Sequence, residues 1–134
     1  MIKIRFILMT PTARTLKQLR ADGYAAEVVE KWNAFSRTRK DLFNVINIVA
    51  IRPGEIVGIQ ATSKGNVSAR IRKAQAEPLL QGWIDAGGRF EVWGWGLSGP
   101  RGKRKTYTVS RTVFLIITPE GCNSSLWRSR RRFF

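Results

Sequence analysis

The stretch that most constrains what this chain can fold into is Val45 to Ser63, VINIVAIRPGEIVGIQATS. Two apolar, β-branched runs flank Arg52-Pro53-Gly54-Glu55, and Pro-Gly at the centre of a four-residue connection is the chemistry of a tight turn. The segment is therefore expected to be a β-hairpin. Side chains alternate faces along a strand, so Gln60 and Thr62 share one face while Ile59 and Ala61 take the other. On the first strand Asn47 is a lone polar residue between Ile46 and Ile48, placed to face Gln60 across the pair. Buried polar groups cost free energy unless they are hydrogen-bonded, so Asn47, Gln60 and Thr62 need either partners or chemical work to do. At this point a hydrogen-bonded patch inside a sheet and a functional site both remain open.

With 134 residues, 43% of them hydrophobic, the chain has the length and composition of one folded domain. Its charge is the outlier: 24 Lys and Arg against 9 Asp and Glu give a net +15. A field of that sign concentrates polyanions, and each neutralised phosphate releases counterions, so nucleic acid is the partner expected first. A basic ribosome-associated protein fits the charge equally but gives no account of the polar hairpin. A single cysteine, Cys122, has no partner for an internal disulfide, and with no histidine a Cys/His zinc site is excluded. Any general base must be a carboxylate, Lys, Tyr or a metal-bound water. No apolar run approaches the ~18 residues of a membrane span, and MIKIRFILM is too short and too charged for a secretory signal, so a cytoplasmic protein without a membrane partner is expected.

Residues 1–9 alternate like a strand, or form an extension ahead of a second start at Met9. Thr10-Pro11 resembles an N-cap with proline in the first turn, Ala13, Leu16 and Leu19 recur at helical spacing, and Gly23 is a natural stop, so a short helix is expected there. Tyr24 to Trp32 reads as a strand and Asn33 to Lys40, with Arg37, Arg39 and Lys40, as a basic loop. After the hairpin, Lys64-Gly65-Asn66 reads as a turn, and Val67 to Leu80 as a helix that Pro78 divides into two pieces, the second ending at Gly87-Gly88. Arg70, Arg72 and Lys73 lie mid-helix, either as a solvated face or as phosphate contacts. Arg89 to Trp95 is expected to be a strand whose outer face carries Trp93 and Trp95, either packing residues or stacking platforms for unpaired bases. Gly96 to Lys105 is a Gly/Pro loop with Arg101, Lys103, Arg104 and Lys105, and Thr106 to Thr118 a last strand. Residues 10–118 form the expected domain, and 119–134 a disordered or loosely docked basic tail.

The segments RTLKQLRADGY, DLFNVINIVAIRPGEIVGIQATS and NVSARIRK followed by GWIDAGGRFEVWGW, in the order helix, strand, hairpin, helix, strand, resemble the restriction-endonuclease-like PD-(D/E)XK superfamily. The likeness is to small Holliday-junction-resolvase-like and phage or bacterial nuclease-like proteins, and covers Arg14 to about Trp95. It implies an α/β fold with a central mixed β-sheet flanked by helices in αβββαβ order, a nucleic-acid partner that is DNA ahead of RNA, and metal-dependent phosphodiester hydrolysis on branched or duplex DNA. Resolvase-like action on two strands further implies a homodimer, with the aromatic strand available as its interface. In that superfamily the first hairpin strand carries a metal-binding Asp, and the second an acidic residue, sometimes Gln, followed two positions on by Lys. The matching positions here are Asn47, Gln60 and Thr62, and all three depart from that pattern. Mg²⁺ or Mn²⁺ prefers charged oxygen ligands, so neutral carbonyls weaken the site. Two outcomes are open. Asp41 or Glu30 joins Gln60 in holding the ion while Lys64 or Lys73 replaces the missing lysine, or the domain binds DNA or RNA at a vestigial site without cutting it. Read without the resemblance, Asp41 serves equally as a turn or cap residue, and Glu30 as a partner for a neighbouring cation.

Overall fold

In a computed structural model of the chain, which describes residues 9–114, three helices and seven strands build a mixed α/β domain. Helix α1 (Pro11–Ala21) starts where expected: Thr10 caps it by accepting from the Ala13 N–H, and Pro11 fills the first turn, where no backbone donor is needed. It ends in a Schellman motif, with Gly23 N–H bonded to Arg20 O, Tyr24 N–H to Leu19 O, and Gly23 at φ 91°. Strands β1 (Ala25–Val28), β4 (Ile48–Arg52), β5 (Glu55–Ser63), β6 (Arg89–Ser98) and β7 (Thr106–Phe114) form one sheet in the order β1-β4-β5-β6-β7. Neighbours are antiparallel except β5 and β6. That parallel pair is joined by a single 3-10 turn at Lys64–Asn66, then α2 (Val67–Gln75) and α3 (Pro78–Asp85).

The β4–β5 hairpin turns at Pro53-Gly54, with Arg52 opposite Glu55 and Gly54 at φ 77°. Period-two alternation sends the two faces of the sheet to different partners. Ile48, Ala50, Val57, Ile59, Ala61, Trp93 and Val109 pack with Leu19 of α1, while Val45, Ile46, Phe90, Val92 and Phe114 pack with Ala74, Leu80 and Ile84 of α2 and α3. The sheet is thus covered on both faces, which is why its central strands carry near-continuous apolar runs. At Gly94 the covering approach is closest: a Cβ there would lie 2.3 Å from Val67 Cγ2 and 3.3 Å from Lys64 Cα.

Several expectations need correction. The run Tyr24 to Trp32 is two strands, because β4 begins only at Ile48 and leaves β1 without a ladder partner beyond Val28. The stretch Asn33 to Lys40 is not an open loop: β2 (Lys31–Asn33) and β3 (Thr38–Lys40) pair antiparallel as a separate two-stranded sheet. The division at Pro78 stands as expected, with Pro78 opening α3 in its first turn. Trp93 and Trp95 do not form an exposed aromatic face. Trp93 is buried under the Arg111 guanidinium, and the Trp95 indole donates to Thr15 Oγ1 at 2.9 Å. The Trp93 ring is therefore closed to base stacking, and Trp95 is only partly exposed. Expectations for residues 1–8 and for those beyond Phe114, including the basic tail, lie outside the described residues.

Candidate functional site

The polar residues of the hairpin open into a cavity of about 390 Å³ lined by Thr12, Glu30, Arg39, Lys40, Asp41, Asn44, Asn47, Gln60, Ala61, Arg70 and Lys73. Five elements of the fold converge there: the first turn of α1 with Thr12, the C-terminal end of β5, the entry to β4, the base of the β2–β3 hairpin, and α2 with Arg70 and Lys73 one turn apart. Asp41 is delivered by a tight loop in which Leu42 and Ile46 exchange both backbone hydrogen bonds, at 2.8 and 2.9 Å. Closing that loop puts Phe43 and Asn44 at positive φ, 52° and 64°, a conformation costing L-residues roughly 1–2 kcal/mol each. Asn is among the residues that bear it best, and the Asn44 amide donates to Glu77 Oε2 at 3.3 Å.

Asn47 is occupied by the sheet. Its backbone N–H donates to Ile59 O, its side-chain oxygen accepts from the Ala61 N–H at 2.9 Å, and its side-chain nitrogen donates to Ala61 O at 3.2 Å. The side chain supplies the rung that the backbone abandons where the chain leaves the ladder before Ile48. Gln60 extends from the same face into the cavity. With its amide oriented as the hydrogen bonding requires, its nitrogen donates to Asp41 Oδ2 at 3.1 Å and to the Val45 carbonyl. Both amide hydrogens are then spent, and the carbonyl oxygen is the acceptor left over. The Asp41 carboxyl is held above the usual carboxylate range by burial, against which Lys73 and then Arg70 pull it down. Glu30 meets Arg39 loosely at 3.9 Å.

The structure brings together Glu30, Asp41, Asn47, Gln60, Arg39, Lys40, Arg70 and Lys73, all expected from the sequence. Others stand apart. Thr62 is buried beside Gly94 of β6 and does not line the cavity. Lys64, expected to support an attacking water, instead reaches across Gly96 and donates to Thr108 Oγ1 of β7. Arg72 is exposed on α2 but outside the cavity, Arg37 sits at the β2–β3 turn, and Arg101, Lys103, Arg104 and Lys105 are exposed on the β6–β7 connection. Sequence reasoning missed Thr12 and Asn44, and the signal for Asn44 was its neighbour: a lone Asn after Phe43 in an otherwise apolar run marks a left-handed residue.

A divalent cation would meet a poor donor set. Among the described residues no three acidic, His or Cys side chains are grouped to hold a metal ion, and the Asn47 oxygen is already bonded to a peptide N–H. Four cations against two carboxylates instead leave the cavity net positive, the balance that suits an anion. At the other end of the sheet a second polar cluster contrasts with this one. Glu55 accepts from Arg52, from the Tyr24 hydroxyl at 2.8 Å and from Arg89 at 3.3 Å, and its carboxyl is lowered by the Arg52 and then the Tyr24 hydrogen bond. That cluster is mutually satisfied and clasps the hairpin turn to β1 and β6. Among the described residues no helix is long and apolar enough to cross a membrane. Comparison with known proteins finds no matching family model, no similar curated protein and no similar solved structure.

Proposed function

We propose that this chain is a DNA-binding protein on a nuclease-like core, whose cavity receives a backbone phosphate and whose capacity for metal-dependent hydrolysis is blunted by Asn47. The observation that carries this reading is the convergence of Arg39, Lys40, Arg70 and Lys73 around Asp41, Asn47 and Gln60 in one open cavity. The order α1, three antiparallel strands, α2–α3, then a strand parallel to the last of them supports a restriction-endonuclease-like core, with the β2–β3 hairpin as an insertion. The net charge of +15 adds the sequence-independent attraction for phosphate. The geometry favours holding over cutting, because Asn47 offers its oxygen to a peptide N–H and its nitrogen to a peptide carbonyl. An aspartate at this position cannot donate to the Ala61 carbonyl, and its free oxygen would give Mg²⁺ or Mn²⁺ the charged ligand it lacks.

The test pairs binding with cleavage. The protein and its Asn47→Asp variant are incubated with labelled duplex and branched DNA in Mn²⁺ or in EDTA, and binding is followed by fluorescence anisotropy across a salt series. Tight, salt-dependent binding by both, with Mn²⁺-dependent cutting appearing or rising in Asn47→Asp, is expected. Arg70→Ala/Lys73→Ala should flatten the salt slope by nearly two counterions if both touch phosphate. Binding without cutting in either protein would reduce the reading to a non-catalytic binder, and an absence of binding would end the DNA reading altogether.

A further inference from the structure

The β2–β3 hairpin is at odds with the stability of an isolated domain in three ways. It pairs only with itself, and every residue from Lys31 to Lys40 is exposed, although a lone two-stranded hairpin is marginal in water. Its cross-strand pair Lys31–Lys40 sets like charges directly opposite each other, which weakens the ladder. It also holds two large aromatics in solvent, Trp32 at 60% exposure and Phe35 fully exposed. Nevertheless its tip is shaped: Asn33 Oδ1 accepts from the Phe35 and Ser36 N–H groups at 2.9 and 3.3 Å, the Ser36 and Thr38 hydroxyls share a 2.6 Å bond, and Arg37 takes φ 53°. This Asx turn fixes the backbone from which Phe35 projects, lowering the ordering cost of a contact made there. Trp32 stands opposite Arg39 in the ladder, and Arg39 lines the cavity. Trp32 is thus carried beside the cavity's basic wall, and Phe35 at the tip of the same hairpin, which also bears Lys31, Arg37, Arg39 and Lys40.

We propose that this hairpin is a wedge for unpaired bases: Trp32 and Phe35 stack on bases exposed where a DNA duplex opens, while Lys31, Arg37, Arg39 and Lys40 hold the flanking phosphates. The inference rests on the DNA reading above and adds a preference for interrupted over continuous duplex. One occupant answers both the charge and the aromatics, since a polyanion neutralises the paired lysines and its unpaired bases supply flat faces for the rings. The aromatic platform expected on β6 is thus assigned to the hairpin.

The experiment measures anisotropy of a labelled blunt duplex and of the same duplex carrying an unpaired bubble, at one salt concentration, for the parent protein and for Trp32→Ala, Phe35→Ala and Trp32→Tyr. Each alanine variant should bind the bubble about tenfold more weakly, while Trp32→Tyr retains most of the preference and the blunt duplex is bound as before. Both side chains are exposed, so melting temperature should not move, and the tyrosine variant separates lost stacking from a lost hairpin. Binding of both DNAs that ignores the alanine substitutions, or falls equally on both, overturns the wedge and leaves the DNA reading standing. Binding of neither DNA by the parent removes both. Sedimentation velocity covers a second copy as the occupant: a dimer that Trp32→Ala dissociates, with no change in bubble preference, also overturns the wedge.

Discussion

Asn47→Asp should be a stability variant before it is an activity variant. The substitution removes the donor that satisfies the Ala61 carbonyl at 3.2 Å and sets a carboxylate oxygen against it. Leaving that buried carbonyl without its donor costs about 1–3 kcal/mol. The surviving bond from the Ala61 N–H, 2.9 Å in the parent, becomes charge-assisted and offsets part of this, for a net loss of about 1–2 kcal/mol. At roughly 4 °C per kcal/mol for a domain of this size, the melting temperature in EDTA should fall by about 4–8 °C. A cation that binds the new carboxylate stabilises only the folded state, and at a hundredfold excess over its dissociation constant contributes about 2.7 kcal/mol. Differential scanning fluorimetry in EDTA and in a Mn²⁺ series reads both effects. Asn47→Ala is the control, losing both side-chain bonds without gaining a charge, and it should melt lower and ignore Mn²⁺. If Asn47→Asp melts with the parent, or its deficit is identical in EDTA and in saturating Mn²⁺, then Asn47 is neither the rung described here nor the seat of a lost ligand.

Two further outcomes bear on the cavity. Burial raises the Asp41 pKa in the folded state above its unfolded value, so folding favours protonation relative to the unfolded chain, and Asp41 costs stability as pH rises from its unfolded pKa through its folded one. Asp41→Asn should therefore be more stable than the parent near neutrality, with the difference vanishing as pH falls below the ordinary carboxylate value of about 4; melting followed across that range checks it, and a pH-independent difference would contradict the sign. Gly94→Ala places a methyl group 2.3 Å from Val67 Cγ2 at the start of α2 and should cost about 1–3 kcal/mol in urea unfolding. Because α2 carries Arg70 and Lys73, DNA affinity should fall with it, and adding Val67→Ala should recover much of both; recovery of stability alone would uncouple the helix from binding.

The hairpin, the helix from Pro11, the divided helix at Pro78 and the strand from Arg89 were legible because each has a local cause: a turn dipeptide, a cap, a proline, an alternation. The β2–β3 hairpin was not, because its strands are three residues each and wholly exposed, so they carry no apolar period to read. Trp93 and Trp95 misled for the opposite reason. Alternation separated them correctly from Phe90 and Val92, but whether that second face meets solvent depends on α1 and Arg111, elements distant in sequence. Trp32 gave the converse case, an aromatic in a short strand that no helix covers.

The polar residues of the main hairpin expose a deeper ambiguity. In an apolar strand an Asn is forced to find partners, and the sequence does not distinguish a side chain that repairs its own sheet from one that serves a ligand. Geometry separates them by where the lone pairs and hydrogens end. Asn47 spends both ends of its amide on the backbone of one residue, Ala61, whereas Gln60 spends only its nitrogen and keeps an oxygen, beside a carboxyl whose ionisation burial opposes and two cations favour. Asp41 and Gln60 therefore hold the responsive part of the cavity. A single exchange of nitrogen for oxygen at Asn47 would remove the donor to the Ala61 carbonyl and set a carboxylate beside Asp41 and Gln60, which is why Asn47→Asp tests the proposed loss of hydrolysis most directly.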